Sequence, residues 1–201
     1  MSATHTRAPL DAALRSKLDR LQDEGHEMWR RFDVEVRAVN WHPFVPADYE
    51  KVLATLLSIR GEGGTFLEWG SANGVITIMA DLLGWEAYGI ELDPDLVDSA
   101  RDLAARFESG ARFAQGSFLP AGYEYRDPAG DHRTGTIGAG RSGYLALGVP
   151  LESFDLVYGY PWSGEEAVMF DVMKKYGSRD TRLLMHGSKG IEIWRGGRRE
   201  S

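Results

Sequence analysis

Thr65-Phe66-Leu67-Glu68-Trp69-Gly70-Ser71-Ala72-Asn73-Gly74 is the stretch of this 201-residue chain whose reading decides its fold. Thr65–Glu68 has strand character, and the run from Gly74 to Leu83 is apolar enough and long enough for a helix, so the loop joins a strand to a helix. Glycine at such a corner lets the backbone turn sharply and lie close to a ligand with no Cβ in the way. The spacing departs from the dinucleotide fingerprint G-x-G-x-x-G, because Gly70 and Gly74 are four apart with Ala72 between them. A turn that only joins the two elements is the plain alternative.

Downstream the alternation repeats. Ala87–Glu91 reads as a second strand, Pro94–Phe107 as a helix with proline well placed in its first turn, and Ala111–Gln115 as a third strand. The glycine-rich segment 121–148 is too long for an ordinary connection and reads as an insert. Strand Phe154–Val157, helix Glu165–Tyr176, strand Leu183–His186 and one short last strand near Ile191–Trp194 follow. Repeated strand–helix units imply an α/β, Rossmann-like, doubly wound sheet that is mostly parallel and covered on both faces. Upstream, Leu14, Leu18, Leu21 and Trp29 give an amphipathic helix from about Leu10 to Phe32, and a connector with two prolines leads to Pro46. Val52, Leu53, Leu56 and Leu57 mark a second helix from Ala47 to Ile59. The expected organisation is an N-terminal helix and connector over 1–46 and a single domain over 47–201.

Two carboxylates flank the decisive corner. Glu68 precedes it, and Glu91, 17 residues beyond Gly74, ends the second strand, where a carboxylate can accept hydrogen bonds from both hydroxyls of a ribose. Glu68-x-Gly70-x-Ala72-x-Gly74 resembles motif I of the class I S-adenosylmethionine-dependent methyltransferases, with alanine replacing the middle glycine. Gly89-Ile90-Glu91-Leu92-Asp93-Pro94 resembles their second motif, and the resemblance spans roughly residues 47 to 187. It implies S-adenosylmethionine as cofactor, with Glu68 near the methionine amino group and Gly70, Ser71, Ala72 and Gly74 forming the loop. It further implies Glu91 on the ribose and Leu92, Ser117 and Phe118 around the adenine. Ser117 departs from the pattern, since the family often carries an acid at this corner. Asp93 reads as a helix cap.

The stretch Tyr158-Gly159-Tyr160-Pro161-Trp162-Ser163-Gly164-Glu165-Glu166 leaves the fourth strand at the edge where open sheets bind ligands. It resembles only loosely the Asn/Asp-Pro-Pro-aromatic loop of amino-group methyltransferases. Tyr158, Tyr160, Trp162 and Glu165 are the candidate catalytic residues, with His186 on the next strand a further polar candidate. In the alternative reading the aromatics pack the domain and the glutamates favour a helix N-terminus. Tyr123, Tyr125, His132 and Arg141 are candidates for a lid, Trp41-His42-Pro43-Phe44 for closing the pocket from the N-terminal side, and Asp155 for a structural role. No His, Asp and Glu set has metal-ligand spacing.

Composition narrows the classes. Hydrophobic residues at 43% suffice for a core, and the absence of cysteine excludes disulfides, thiolate metal sites and a cysteine nucleophile. A net charge of -7 argues against a nucleic-acid partner. Lys189, Arg195, Arg198 and Arg199 cluster in a tail expected to be solvated and frayed. No segment approaches the roughly 18 apolar residues of a membrane span, and the polar start lacks a signal-peptide pattern, so a cytoplasmic protein without membrane contact is expected. The expected activity is methyl transfer to a small molecule or a protein side chain. A non-catalytic S-adenosylmethionine-binding module acting with a partner protein is the alternative, and glycine spacing disfavours a nucleotide-dependent oxidoreductase. The C-terminal end is abbreviated relative to the family, so the sheet edge is expected to be covered by the N-terminal helix or by a second copy in a homodimer.

Overall fold

A computed structural model describes residues 10–40, 42–60, 63–125, 137, 138, 140–162 and 164–200. Strands β1 (Thr65–Trp69), β2 (Glu86–Glu91), β3 (Arg112–Gln115), β4 (Leu156–Gly159), β5 (Arg182–Gly187), β6 (Gly190–Arg195) and β7 (Arg198–Arg199) form one sheet, ordered β3-β2-β1-β4-β5-β6-β7. The first five run parallel, and β6 and β7 are antiparallel to their neighbours. Central parallel strands are buried on both faces, which is why Phe66-Leu67 and Leu156-Val157 read as continuous apolar runs and not as alternating ones. At the start of the sheet, Asp155 Oδ2 accepts the Thr65 N–H at 2.8 Å and its hydroxyl at 3.0 Å, locking β4 to β1.

Helices α1 (Ala12–Phe32), α2 (Tyr49–Ile59), α3 (Val75–Leu82) and α4 (Pro94–Arg106) gather on one face, where Leu18, Leu56, Ile78 and Leu103 enclose Phe66 and Leu156. On the other face α5 (Gly143–Leu147) and α6 (Glu166–Tyr176) cover Trp69, Tyr88, Val157 and Met185 with Tyr144, Met169 and Val172. Side-chain oxygens start three helices: Asp11 accepts the Leu14 amide, Asp48 that of Lys51, and Asp93 those of Asp95 and Leu96. Pro94 opens α4 in the first turn, where its missing N–H costs nothing.

Three expectations are corrected. The tail is not frayed: it forms β6 and β7, two strands in place of one, with Arg195 paired to Glu200 and Arg199 to Glu192. The N-terminal helix does not cover the sheet edge; α1 packs on α3, with Leu18 and Leu21 in the core and Arg106 of α4 paired to Glu24, while α2 lies over β6. The glycine-rich segment holds α5 and leads into a 3-10 turn at Leu151–Ser153, with its part 126–136 and residue 139 outside the described residues. Boundaries elsewhere agree to within two residues. No helix among the described residues is long and apolar enough to cross a membrane.

Gly74 caps α3 with φ +79°, and a Cβ there would meet Phe113 and Ala100 at 2.7 and 2.8 Å. A left-handed alanine and an overpacked contact each cost about 1 kcal/mol or more. Gly74→Ala is therefore expected to lower the urea-unfolding free energy by at least about 2 kcal/mol; an unchanged midpoint would contradict this packing.

Candidate functional site

The loops after β1, β2 and β4 open at the carboxyl edge of the sheet. Between β1 and β4 the direction of strand addition reverses, which is the topological switch point of a doubly wound sheet. A cleft of about 620 Å³ lies there, a size suited to a cofactor-scale ligand. Its floor is the loop Gly70–Asn73, its β2 side is Ile90–Asp93, and its β4 side is Tyr158, Tyr160, Pro161 and Trp162.

Glu91 organises the β2 side. One carboxylate oxygen accepts the Ala72 N–H at 2.9 Å and the other accepts the Asp93 N–H at 3.0 Å. Each oxygen keeps a second lone pair for a ligand hydroxyl. Burial pushes this carboxyl above its ordinary range, opposed by the amides of Asp93, Ala72 and Leu92 and by His42. The Ala72 bond holds a residue under strain, for Ala72 sits at φ +45°, a region that alanine rarely adopts.

Glu68 is the next-to-last residue of β1 and is almost fully buried. Its Oε2 accepts both the amide of Thr77 at 2.9 Å and the Thr77 hydroxyl at 2.5 Å, so Oε1 is left for a ligand. Desolvation dominates and pushes the carboxyl up to about 8; the Thr77 bonds pull it down and Glu91 pushes it further up. Asn73 adds a second unsatisfied group, because its amide nitrogen is buried with no partner among the described residues. An unpaired buried donor costs about 1–3 kcal/mol, and a ligand acceptor can offset that cost.

The structure brings most of the expected residues together. Glu68, Gly70, Ser71, Ala72, Glu91, Leu92, Phe118, Tyr158, Tyr160 and Trp162 all line the cleft. Gly74 does not line it; it shapes the loop from behind as the start of α3. Ser117 is turned away from the cleft, its Oγ accepting the Leu119 amide at 3.2 Å, and its neighbour Gly116 lines the cleft instead. Phe118 stacks on Trp69 with ring centres 5.0 Å apart, so one of its faces is already used. Glu165 also lies outside the lining: it ends the turn before α6 and ties it down, accepting the Trp162 N–H at 2.8 Å and the Ile137 N–H at 3.1 Å. It positions the aromatic loop from beneath.

Of the residues expected in a lid, the described ones, Tyr123, Tyr125 and Arg141, do not line the cleft. Tyr123 donates to Asp171 at 2.8 Å, while Tyr123, Tyr125 and Arg141 border a separate, smaller cavity; His132 lies outside the described residues. Ile137 and Gly138 reach the cleft in their stead. The N-terminal strap does cover it, through His42, Pro43, Phe44, Val45, Pro46 and Ala47, with Trp41 outside the described residues. His42 fixes the strap: Nδ1 accepts the Phe44 amide at 3.1 Å, which leaves Nε2 facing Asp93 at 3.3 Å. Sequence reasoning missed Asn73, Tyr49 and Gly116 as lining residues; an asparagine inside the decisive loop was the one signal for the first. Among the described residues no cluster of ligating side chains could hold a metal ion.

No protein-family model matches the sequence, nor does any curated protein. Solved structures do match by shape. An RNA methyltransferase from Salinibacter ruber, crystallised with S-adenosyl-L-homocysteine, superimposes with a TM-score of 0.51 at 20% identity, covering 70% of this chain and 76% of that one. The fold is that of the class I methyltransferases. The C-terminal domain of a precorrin-6Y C5,15-methyltransferase from Rhodobacter capsulatus matches more loosely, with a TM-score of 0.49 at 15% identity over 76% of this chain and 70% of that one. Within this methyltransferase fold the chain carries alanine in a left-handed position of the loop.

Two outcomes follow from these environments. Replacing Ala72 by glycine relieves the left-handed strain and raises unfolding free energy by about 0.5–1 kcal/mol after the greater backbone entropy of glycine is subtracted, read as an upward shift in thermal midpoint. A proton stays on Glu68 in the folded protein up to about pH 8, whereas the unfolded chain releases it in the ordinary carboxylate range. This group's contribution to stability is therefore full at acid pH and is lost as pH rises towards 8. Glu68→Gln should flatten the melting-temperature profile between pH 5 and about 9, gaining most at the alkaline end; an unaltered slope would show that Glu68 is ionised throughout.

Proposed function

We propose that this protein is an S-adenosylmethionine-dependent methyltransferase acting on a small molecule or a protein side chain. The observation that carries the reading is the pair of carboxylates on adjacent strand ends, Glu68 and Glu91, one on each side of a tight loop and each keeping acceptor capacity towards the cleft. Glu91 suits two ribose hydroxyls. Glu68, held by Thr77, suits the ammonium of a methionine moiety, and its raised proton affinity is what such a cation would reverse. Asn73 offers an unpaired donor, and Leu92 and the free face of Phe118 offer apolar surface for an adenine. NAD has no group that needs Glu68.

S-adenosylmethionine supplies a methyl group on a sulfonium, which is electrophilic without further activation. The chain's task is alignment: holding the donor against β1 and β2 and a nucleophile against β4 so that the two meet in line. Tyr160 and Trp162, presented by a loop that Glu165 ties down, form the wall on the nucleophile side. The strap shields the cleft, and excluding water strengthens each charge interaction within it. The acidic net charge supports a metabolite or protein substrate over a nucleic acid.

Titration calorimetry decides the cofactor. S-adenosylmethionine and S-adenosylhomocysteine are expected to bind and NAD to give no heat; the reverse order would end this reading. Glu91→Ala should weaken S-adenosylhomocysteine binding by about 1–3 kcal/mol through lost hydrogen bonds and release of the Ala72 amide. Binding by wild type should also release a proton near pH 7, detected as heat that varies with buffer ionisation enthalpy, and Glu68→Gln should abolish that dependence.

A further inference from the structure

The face of the sheet beneath α2 carries a buried polar row that starts at Glu68 and continues past it into residues that cofactor binding leaves unused. Glu68 on β1 lies opposite Tyr158 on β4, and Tyr158 lies opposite Leu184 on β5. Two residues on from Leu184, on the same face, is His186. The Tyr158 hydroxyl meets His186 Nδ1 at 2.7 Å, and Tyr160 stacks on the imidazole at 4.5 Å between ring centres. Tyr158 and His186 are both buried, yet Tyr158 lines the cleft beside Tyr160 and Trp162. A hydrogen-bonded phenol and imidazole thus lead from the nucleophile's side of the cleft into the protein.

The electrostatics favour one kind of substrate. The described cleft lining holds three carboxylates (Glu68, Glu91 and Asp93), His42, and no lysine or arginine. The aromatic faces of Tyr160 and Trp162 attract a cation and give an anion no counter-charge. Neutral imidazole is a weak acceptor, able to take a proton from an ammonium placed beside a sulfonium but far too weak for an aliphatic alcohol. Burial lowers the proton affinity of His186, Asp48 raises it and Lys51 lowers it, which leaves the ring neutral and ready to accept at neutral pH. Burial, with Glu68, Tyr160, Tyr49 and Asp48 nearby, holds the Tyr158 phenol far above its ordinary range, so it passes a proton on and does not persist as phenolate.

We propose that the substrate is an amine and that the Tyr158 hydroxyl and His186 together remove the proton from its nitrogen. This rests on the methyl-transfer reading above and deepens it. The N–H bond of the bound ammonium breaks with its proton going to Tyr158 Oη, as the phenolic proton passes to His186 Nδ1. The freed lone pair forms the N–C bond while the C–S bond of the donor breaks with its electrons left on sulfur. The imidazolium then returns its proton to water. In this step Tyr158 is the catalytic residue, and His186 acts through it.

The test uses the full chain saturated with S-adenosylhomocysteine and two probes of the same shape and opposite charge, phenethylamine and 3-phenylpropionate. Phenethylamine is expected to bind at least about tenfold more tightly at pH 7.5. Its affinity should fall as the pH is lowered through the His186 midpoint, because an imidazolium repels the ammonium. His186→Gln should remove that fall while keeping the change due to Glu68, and Tyr158→Phe should raise the His186 midpoint, since the neutral ring loses its donor. Independently of any variant, nitrogen-15 spectra of the wild-type imidazole should show Nε2 protonated and Nδ1 accepting. Preference for the carboxylate, an unchanged pH profile in His186→Gln, or protonated Nδ1 in the neutral ring would each overturn the proposal. Failure of S-adenosylhomocysteine to bind at the outset would instead remove the cofactor reading on which it stands.

Discussion

The hydrogen bond from the Ala72 amide to Glu91, together with those from the Gly70 and Ser71 amides to the Ile90 carbonyl, fixes the relation between the ends of β1 and β2, and the cleft depends on it. The Ala72 bond steadies a left-handed alanine in the loop, beside the Gly70 and Ser71 amides on the Ile90 carbonyl and the Gly74 amide on Ser71, and so supports the curvature of the cleft floor. The same carboxylate therefore shapes the loop and offers a ligand its remaining lone pairs. Charge-assisted bonds of this kind are roughly twice as strong as neutral ones, which lets one buried acid serve both purposes.

Burying two acids this close together is expensive unless something cationic or hydrogen-bonding arrives. Glu68 resolves the conflict by holding its proton and leaning on Thr77, and Glu91 by collecting backbone amides. The site is thus built for an occupant, with part of its folding free energy held back in desolvated groups that a ligand satisfies. The strap adds closure from the N-terminal side, pinned where His42 meets Asp93 at the mouth of α4.

What the sequence made legible was local. Strand–loop–helix alternation, the Asp93 cap, Glu68 ahead of the loop and Glu91 at the next strand end are all set by neighbours within a few residues, and the structure reproduces their positions. What stayed hidden depends on distant contacts. Ser117 follows a strand end as a binding residue might, but its hydroxyl turns to the Leu119 amide and its backbone pairs with Arg141 and Gly143. Glu165 looked equally suited to chemistry and to a helix start, and only the arrival of Ile137 from another loop decides its placement. The strand near Ile191–Trp194 was legible as β6, but the tail charges concealed β7 because their partners, Glu192 and Glu200, sit across a hairpin whose register no local pattern specifies.

Side chains alternate along a strand, so the meeting of Tyr158 and His186 is a matter of parity. A slip of one residue in β5 against β4 would carry His186 to the opposite face and bring Met185 or Gly187 round in its place. Leu183-Leu184-Met185 would still supply apolar side chains to both faces, so much of the burial would survive while the polar pair vanished. The architecture and the chemistry of this cleft are therefore separable by one backbone step, and a lineage could lose or regain the pair through a single insertion or deletion before β5 without having to reinvent the fold.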